Sequence, residues 1–214
     1  AMRYLFILLA LTAQLALAKQ TDEEKAFKRP LAFRMASYYE SAITQSDISA
    51  AAITIDTKMQ KRMFARKLEK EGILPILVTV TNQTNDPIIV DGSNPKLRSK
   101  SGESSMLKIH EMLEPLITAG KGLRTFGSVI SLGMSNKMGG NQAYMIELDG
   151  NINEPLVTNL YNKSLKYTFV EAGDTAAGFV FFETRKAKGK NKTIELKIRS
   201  LDSFETRLLK IPVD

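Results

Sequence analysis

The chain's one histidine, His110, opens the stretch His110-Glu111-Met112-Leu113-Glu114. It begins like the helical zinc motif in which two histidines one turn apart hold the metal and a glutamate activates water. Glu114 stands where the second histidine is needed, so His110 reads as an exposed helix position. Cysteine is absent altogether, which removes disulfide frameworks, Cys/His zinc sites and Cys–His pairs. Gly122-Leu123-Arg124-Thr125-Phe126-Gly127 has the glycine spacing of a phosphate loop, but Ser128-Val129 follow where Lys-Ser/Thr is required. Without that lysine no charge reaches the terminal phosphates. Serine catalysis lacks both a base other than His110 and a Gly-x-Ser-x-Gly elbow. A carboxylate-based hydrolase would need two or three buried acids facing a cleft. The expectation is a non-enzymatic protein with no cofactor and no metal site.

Two stretches offer surfaces in place of chemistry. Six of the 13 glycines fall between positions 120 and 140, interleaved with Leu123, Phe126, Val129, Ile130, Leu132 and Met134. The segment is too glycine-rich for a stable helix and too apolar for an ordinary exposed loop. It is therefore read either as structure packed on the domain or as a surface for a partner or a membrane. Arg185, Lys186, Lys188, Lys190 and Lys192 crowd one turn. Such charges keep a hairpin soluble, and they also suit an anionic membrane or polysaccharide, where each basic residue contributes about 1 kcal/mol. No aromatic side chain lies among these lysines to stack on bases, so nucleic acid is not the expected partner. Asn82-Gln83-Thr84, Asn162-Lys163-Ser164 and Asn191-Lys192-Thr193 match the glycosylation pattern, which matters only in a eukaryotic source.

The elements around these residues begin with an export signal. Arg3 precedes an apolar run from Leu5 to Leu11, and Ala16-Leu17-Ala18 supplies a small-residue cleavage site after Ala18. The run is shorter than the roughly 20 residues of a membrane span. Residues 1–18 are thus expected to be a cleaved signal peptide, with Ala1 a cloning remnant ahead of Met2. The net charge of +7 loses only Arg3 with that segment. Residues 19–29 are nearly all polar and read as a leader. Residues 30–214 are expected to form one domain, interrupted by an insertion at about 104–145.

Within that domain a strand is expected over Leu31–Tyr39, while 40–55 carries no clear period. Asp56 is placed to cap an amphipathic helix whose apolar stripe is Met59, Met63, Phe64 and Leu68, ending at Gly72. The β-branched run Ile73–Asn82 turns at 82–87, with Ile88–Val90 as its hairpin partner before a turn at Asp91-Gly92. Pro75 belongs at the strand's start or at a sheet edge. Ser104–Ile117 returns to helical spacing. Leu165, Tyr167 and Phe169 alternate with polar residues, as do Ile194, Leu196 and Ile198. Phe179-Val180-Phe181-Phe182 is apolar on both faces and belongs in the middle of the core. A last strand is expected over Phe204–Val213. Strands at about ten-residue spacing predict a mainly β fold with a few helices, an antiparallel sandwich carrying the glycine-rich insertion.

Two phrases carry a resemblance. One runs from Gly72-Ile73-Leu74-Pro75 through Thr81-Asn82-Gln83-Thr84-Asn85-Asp86-Pro87, directly after the amphipathic helix. The other is Phe169-Val170-Glu171-Ala172-Gly173-Asp174 through Phe179-Val180-Phe181-Phe182. Together they resemble uncharacterised bacterial cell-envelope proteins, often lipoproteins, with an immunoglobulin-like β-sandwich and a glycine-rich apolar insertion. The resemblance implies an immunoglobulin-like fold for residues 30–214 and a place in the periplasm or at the outer membrane. This chain lacks a lipid-acceptor cysteine, and the shared phrases describe strands and turns. The expected function is a structural or accessory subunit of an envelope assembly, acting through an envelope protein partner or an anionic surface. A ligand-binding envelope module and a peripheral component of an outer-membrane secretion or conjugation complex are the alternatives.

Overall fold

The computed structural model describes residues 22–118, 154–189 and 191–214. Its frame is two antiparallel sheets. Sheet A runs in the order β1 (Ile43–Gln45), β2 (Ile48–Thr54), β3 (Ile73–Asn82) and β7 (Thr175–Glu183). Sheet B is built on β4 (Ile88–Ser99). One side of β4 pairs with β5 (Gly102–Ser105) and β6 (Tyr167–Val170). The other side pairs with β8 (Thr193–Ser200), which pairs in turn with β9 (Thr206–Pro212).

The two sheets bury one apolar layer between them. Ala50, Ala52, Leu74, Ile76, Val78, Val80, Val180 and Phe182 of sheet A meet Ile88, Val90, Leu97, Ile194, Leu196, Ile198, Leu209 and Ile211 of sheet B. The period of two places every second side chain of β3 and β7 on the opposite face of sheet A. There a second core forms. Phe179 and Phe181 lie with Ile73 and Leu77 under Met63 and Phe64 of α2 (Thr57–Phe64), Met112 and Leu116 of α3 (Ile109–Thr118), and Leu156 and Leu160 of α4 (Glu154–Lys163). The described molecule is therefore three layers deep: helices, sheet A, sheet B. β7 is buried on both faces, as the run Phe179–Phe182 predicts.

Asp56 caps α2 by accepting from the Met59 amide at 2.6 Å. The helix stops earlier than its apolar stripe predicts, because Ala65 turns left-handed and a short 3-10 helix, Leu68–Glu71, leads to Gly72. Pro75 sits where β2 has run out beyond the Thr54–Ile76 pair, and its nitrogen faces that open side and not β7, so no ladder bond is lost.

Several expectations are corrected. Residues 31–39 form no strand but an irregular stretch with a 3-10 turn at Ala36–Tyr38. The unassigned stretch 40–55 holds the β1–β2 hairpin, whose alanines fit between the layers. Ile73–Asn82 and Ile88–Val90 are not hairpin partners, since the chain crosses from one sheet to the other between them. β4 does not turn at Asp91-Gly92; it continues to Ser99 past an irregularity between Asp91 and Lys96. Ser104 and Ser105 belong to β5, and α3 begins only at Ile109. Helix α4 has no counterpart among the expected elements. Within the stretch read as a polar leader, Asp22–Lys28 forms α1, whose Ala26 is buried. The signal segment, its cleavage point at Ala18, and the glycine-rich surface of Leu123, Phe126, Val129, Ile130, Leu132 and Met134 lie outside the described residues.

Candidate functional site

The two phrases that carry the resemblance converge on one side chain. Asn82, buried at the end of β3, donates through Nδ2 to the carbonyls of Asp86 at 2.8 Å, Val170 at 3.2 Å and Glu171 at 3.2 Å. Its Oδ1 accepts from the amide and hydroxyl of Thr84 at 3.1 and 2.7 Å. Its backbone accepts from the Gly173 amide at 2.7 Å and donates to Asp174 at 2.9 Å. Gly173 supplies the turn's positive φ of 84°. Both phrases thus form one structural clasp. Asn82 is fully buried, so its glycosylation pattern is sealed inside the fold, whereas Asn162 and Asn191 are exposed.

His110 is exposed near the start of α3. Among the described residues no group of three or more His, Asp or Glu side chains is arranged to hold a metal. Three acids, Asp86, Asp202 and Glu205, line an open cleft of about 320 Å³ at the end of the sandwich. All three are exposed. A hydrogen bond from Asp202 and then its negative charge push the Asp86 carboxyl above its usual range. Glu205 is taken up by Arg207 at 3.0 Å. These acids are not the buried cluster that carboxylate catalysis calls for.

A second cleft, of about 520 Å³, is lined by Glu69, Lys70, Glu71, Gly72, Pro115, Thr184 and Arg185. Burial raises the pKa of Glu71, against the opposing pull of Arg66, whose nearest nitrogen is 4.0 Å away.

The basic turn is divided by its surroundings. Lys186 donates to Glu183 at 2.9 Å, which raises its pKa and neutralises its charge locally. Arg185 faces the second cleft, Lys192 is half-buried, Lys188 is exposed, and Lys190 lies outside the described residues. The four described residues thus differ in setting, and Lys186 alone among them is ion-paired. The structure adds a cation that sequence distance hid. The Ser99 hydroxyl donates to the Lys186 carbonyl at 3.2 Å, and that of Ser101 donates to the same carbonyl at 2.8 Å and to Lys188 at 3.3 Å. These bonds tie the β4–β5 turn to the β7–β8 turn and bring Lys100 against Gly189, the residue after Lys188. Neither lysine has an ion-pair partner among the described residues.

A further surface lies on the two strands expected over Leu165–Phe169 and Phe204–Val213. Tyr167, Phe169, Phe204 and Leu208 are 62, 51, 65 and 43 % exposed. Strand register aligns Tyr167, Phe169 and Leu208 across the outer face of sheet B, and Phe204 stands on the β8–β9 turn beside it. Phe169 neighbours Ile89 and then Arg199, while Tyr167 neighbours Asp91, then Lys197, then Leu208. The Arg199 guanidinium lies 5.3 Å from the centre of the Phe204 ring. Leu165, Tyr167 and Phe169 alternate in sequence, but only Leu165 is buried, because the strand begins at Tyr167, after Leu165. β6 therefore starts with the opposite parity, burying Val170 and turning both rings out.

No family model and no curated protein matches the chain. Among solved structures, it is similar to a chain of Bacillus subtilis subsp. subtilis str. 168 provisionally described as a lipoprotein (ycdA). Identity is 13 %, the match covers 81 % of this chain and 39 % of that one, and the TM-score is 0.34. The present chain thus matches well under half of that protein's length. A likeness this distant carries no argument about function.

Proposed function

We propose that the protein is an exported, non-enzymatic component of a bacterial cell envelope that works by surface contact. The observation that carries this reading is the outer face of sheet B, where Tyr167, Phe169, Phe204 and Leu208 stand exposed among Lys197 and Arg199. Contiguous exposed apolar groups of this kind mark contact surfaces. The signal-like segment, residues 1–18, supports export. The strand order supports an immunoglobulin-like sandwich. β2-β3-β7 opposite β4-β8-β9 corresponds to the A-B-E and C-F-G order of that fold, with the long segment 106–166 inserted before the E strand.

The test expresses the full chain in a Gram-negative host and fractionates the cells, with a photo-crosslinking residue at position 169 or 208 and, as control, at 58 on α2. Processing after Ala18, recovery with the periplasm or envelope, and adducts from sheet B alone are expected. Retention of an unprocessed chain in the cytoplasm, or equal adducts from α2, overturns the reading.

A further inference from the structure

We infer that the outer face of sheet B docks on an anionic lipid bilayer, an inference that rests on the surface-contact reading above and names its partner. The two faces of the sandwich are treated differently. The outer face of sheet A is roofed by α2, α3 and α4. Among the described residues nothing similar covers sheet B, and its rows present rings and cations together.

The charge on that face is one-sided once its internal pairs are removed. Glu195 is buried against Arg98 at 2.7 Å, and Glu103 is held by Lys96 at 2.6 Å and Arg98 at 3.2 Å. Asp91, whose Oδ1 accepts from the amide and hydroxyl of Ser93 at 3.1 and 2.5 Å, keeps its negative charge beside Lys197. Lys197, Arg199 and Lys210 remain exposed with no carboxylate in ion-pair contact among the described residues. With three such cations against the one carboxylate of Asp91, the face is net cationic and selects an anionic partner.

The arrangement favours lipid over a folded protein. Protein interfaces deplete charge at their centre and keep it on the rim. Here each row holds a cation among apolar groups: Arg199 beside Ile89 and Phe169, and Lys197 between Asp91 and Leu208 in the row that starts at Tyr167. That is the composition of the headgroup zone of a membrane. Aromatic rings settle there at the depth of the glycerol while Lys and Arg reach the phosphates.

The absence of tryptophan provides a local probe. Phe169→Trp puts a single fluorophore on sheet B, and Tyr38→Trp puts one on the exposed 3-10 turn as control, both in the full chain. Each is mixed with phosphatidylcholine vesicles, with or without phosphatidylglycerol and brominated lipid. The Phe169→Trp emission is expected to shift to the blue and be quenched by brominated chains on anionic vesicles only, and the control is expected not to respond. Adding Lys197→Glu and Arg199→Glu should weaken vesicle binding roughly tenfold or more. Because each probe reports its own position, binding through the apolar N-terminal segment does not imitate the result. Equal responses at 38 and 169, or equal quenching on neutral vesicles, overturn the inference. A blue shift without vesicles together with a doubled mass in light scattering assigns the face to a second copy instead. Vesicle binding by a chain that stays in the cytoplasm refutes export alone, whereas position 169 crosslinking only to protein in an exported chain refutes the lipid partner alone.

Discussion

Asn82 does at one position what a sandwich without disulfides needs at its open ends. Its amide holds the turn after β3 and the turn after β6 together, and every polar atom of the side chain is used. Asn82→Ala removes both donors and leaves the buried Val170 carbonyl short of a partner, while the Glu171 carbonyl keeps the Asp174 amide at 3.1 Å. The expected loss is about 2–3 kcal/mol, or roughly 5–10 °C in thermal midpoint for a chain of this size, measured by circular dichroism. Lys163 is a different case. Its amine is buried at the end of α4, donating to the Ala26 carbonyl of α1 at 2.8 Å and to Asn159, which in turn donates to the Met63 carbonyl at 2.7 Å. Burial first, and then the charge of Arg29, lowers its pKa to about 8. Between about pH 8 and the ordinary lysine value the unfolded chain binds a proton that the native chain has released. This group therefore makes stability rise with pH across that window. Thermal midpoints of the wild type and Lys163→Met, compared from neutral to alkaline pH, should show the rise in the wild type alone.

At the scale of elements, the legible parts were those whose side chains obey one period from end to end. β8 alternates Ile194, Leu196 and Ile198 inward, and the double-sided run Phe179–Phe182 fixes β7 as the strand shared by two cores. Asp56 was readable as a cap because capping is local chemistry. What stayed hidden depends on contacts far apart in sequence. β2 is small and weakly patterned because Ala50 and Ala52 fit the narrow space between sheets. The parity of β6 is set by the crossing at Leu165, which packs against glycines of both sheets. A Cβ on Gly178 would lie 2.4 Å from the Leu165 nitrogen and Cα, and one on Gly92 would lie 2.5 Å from the Lys166 carbonyl oxygen. Gly178→Ala should therefore cost about 3 kcal/mol by forcing strand β7 and the 164–166 crossing apart. Since the clash is with backbone, Leu165→Ala should not rescue it. Denaturant midpoints of the single and double variants decide the point, and recovery in the double variant would place the strain in the side chain.

For the molecule as a whole, the question is whether the helical layer is an accessory or part of the cooperative unit. Its core meets the sandwich core through the two faces of β3 and β7, with no polar layer between. Phe64 stacks edge-on against Phe179 and Phe181 at 5.0 and 5.8 Å, while Phe182, next in the chain, is buried between the sheets. Interiors packed at crystal density transmit strain across a shared strand. Loosening either layer should therefore lower the stability of both. Phe64→Ala and Phe182→Ala are each expected to cost about 3–5 kcal/mol. Helical and tyrosine circular dichroism signals should still fall in one coincident transition in either variant. Melting of helix before sheet in Phe64→Ala would make the helical layer a separable roof. Coincident melting means that the layer covering sheet A is integral to the fold, and that contact with other surfaces falls to sheet B, where the aromatic and basic side chains stand uncovered.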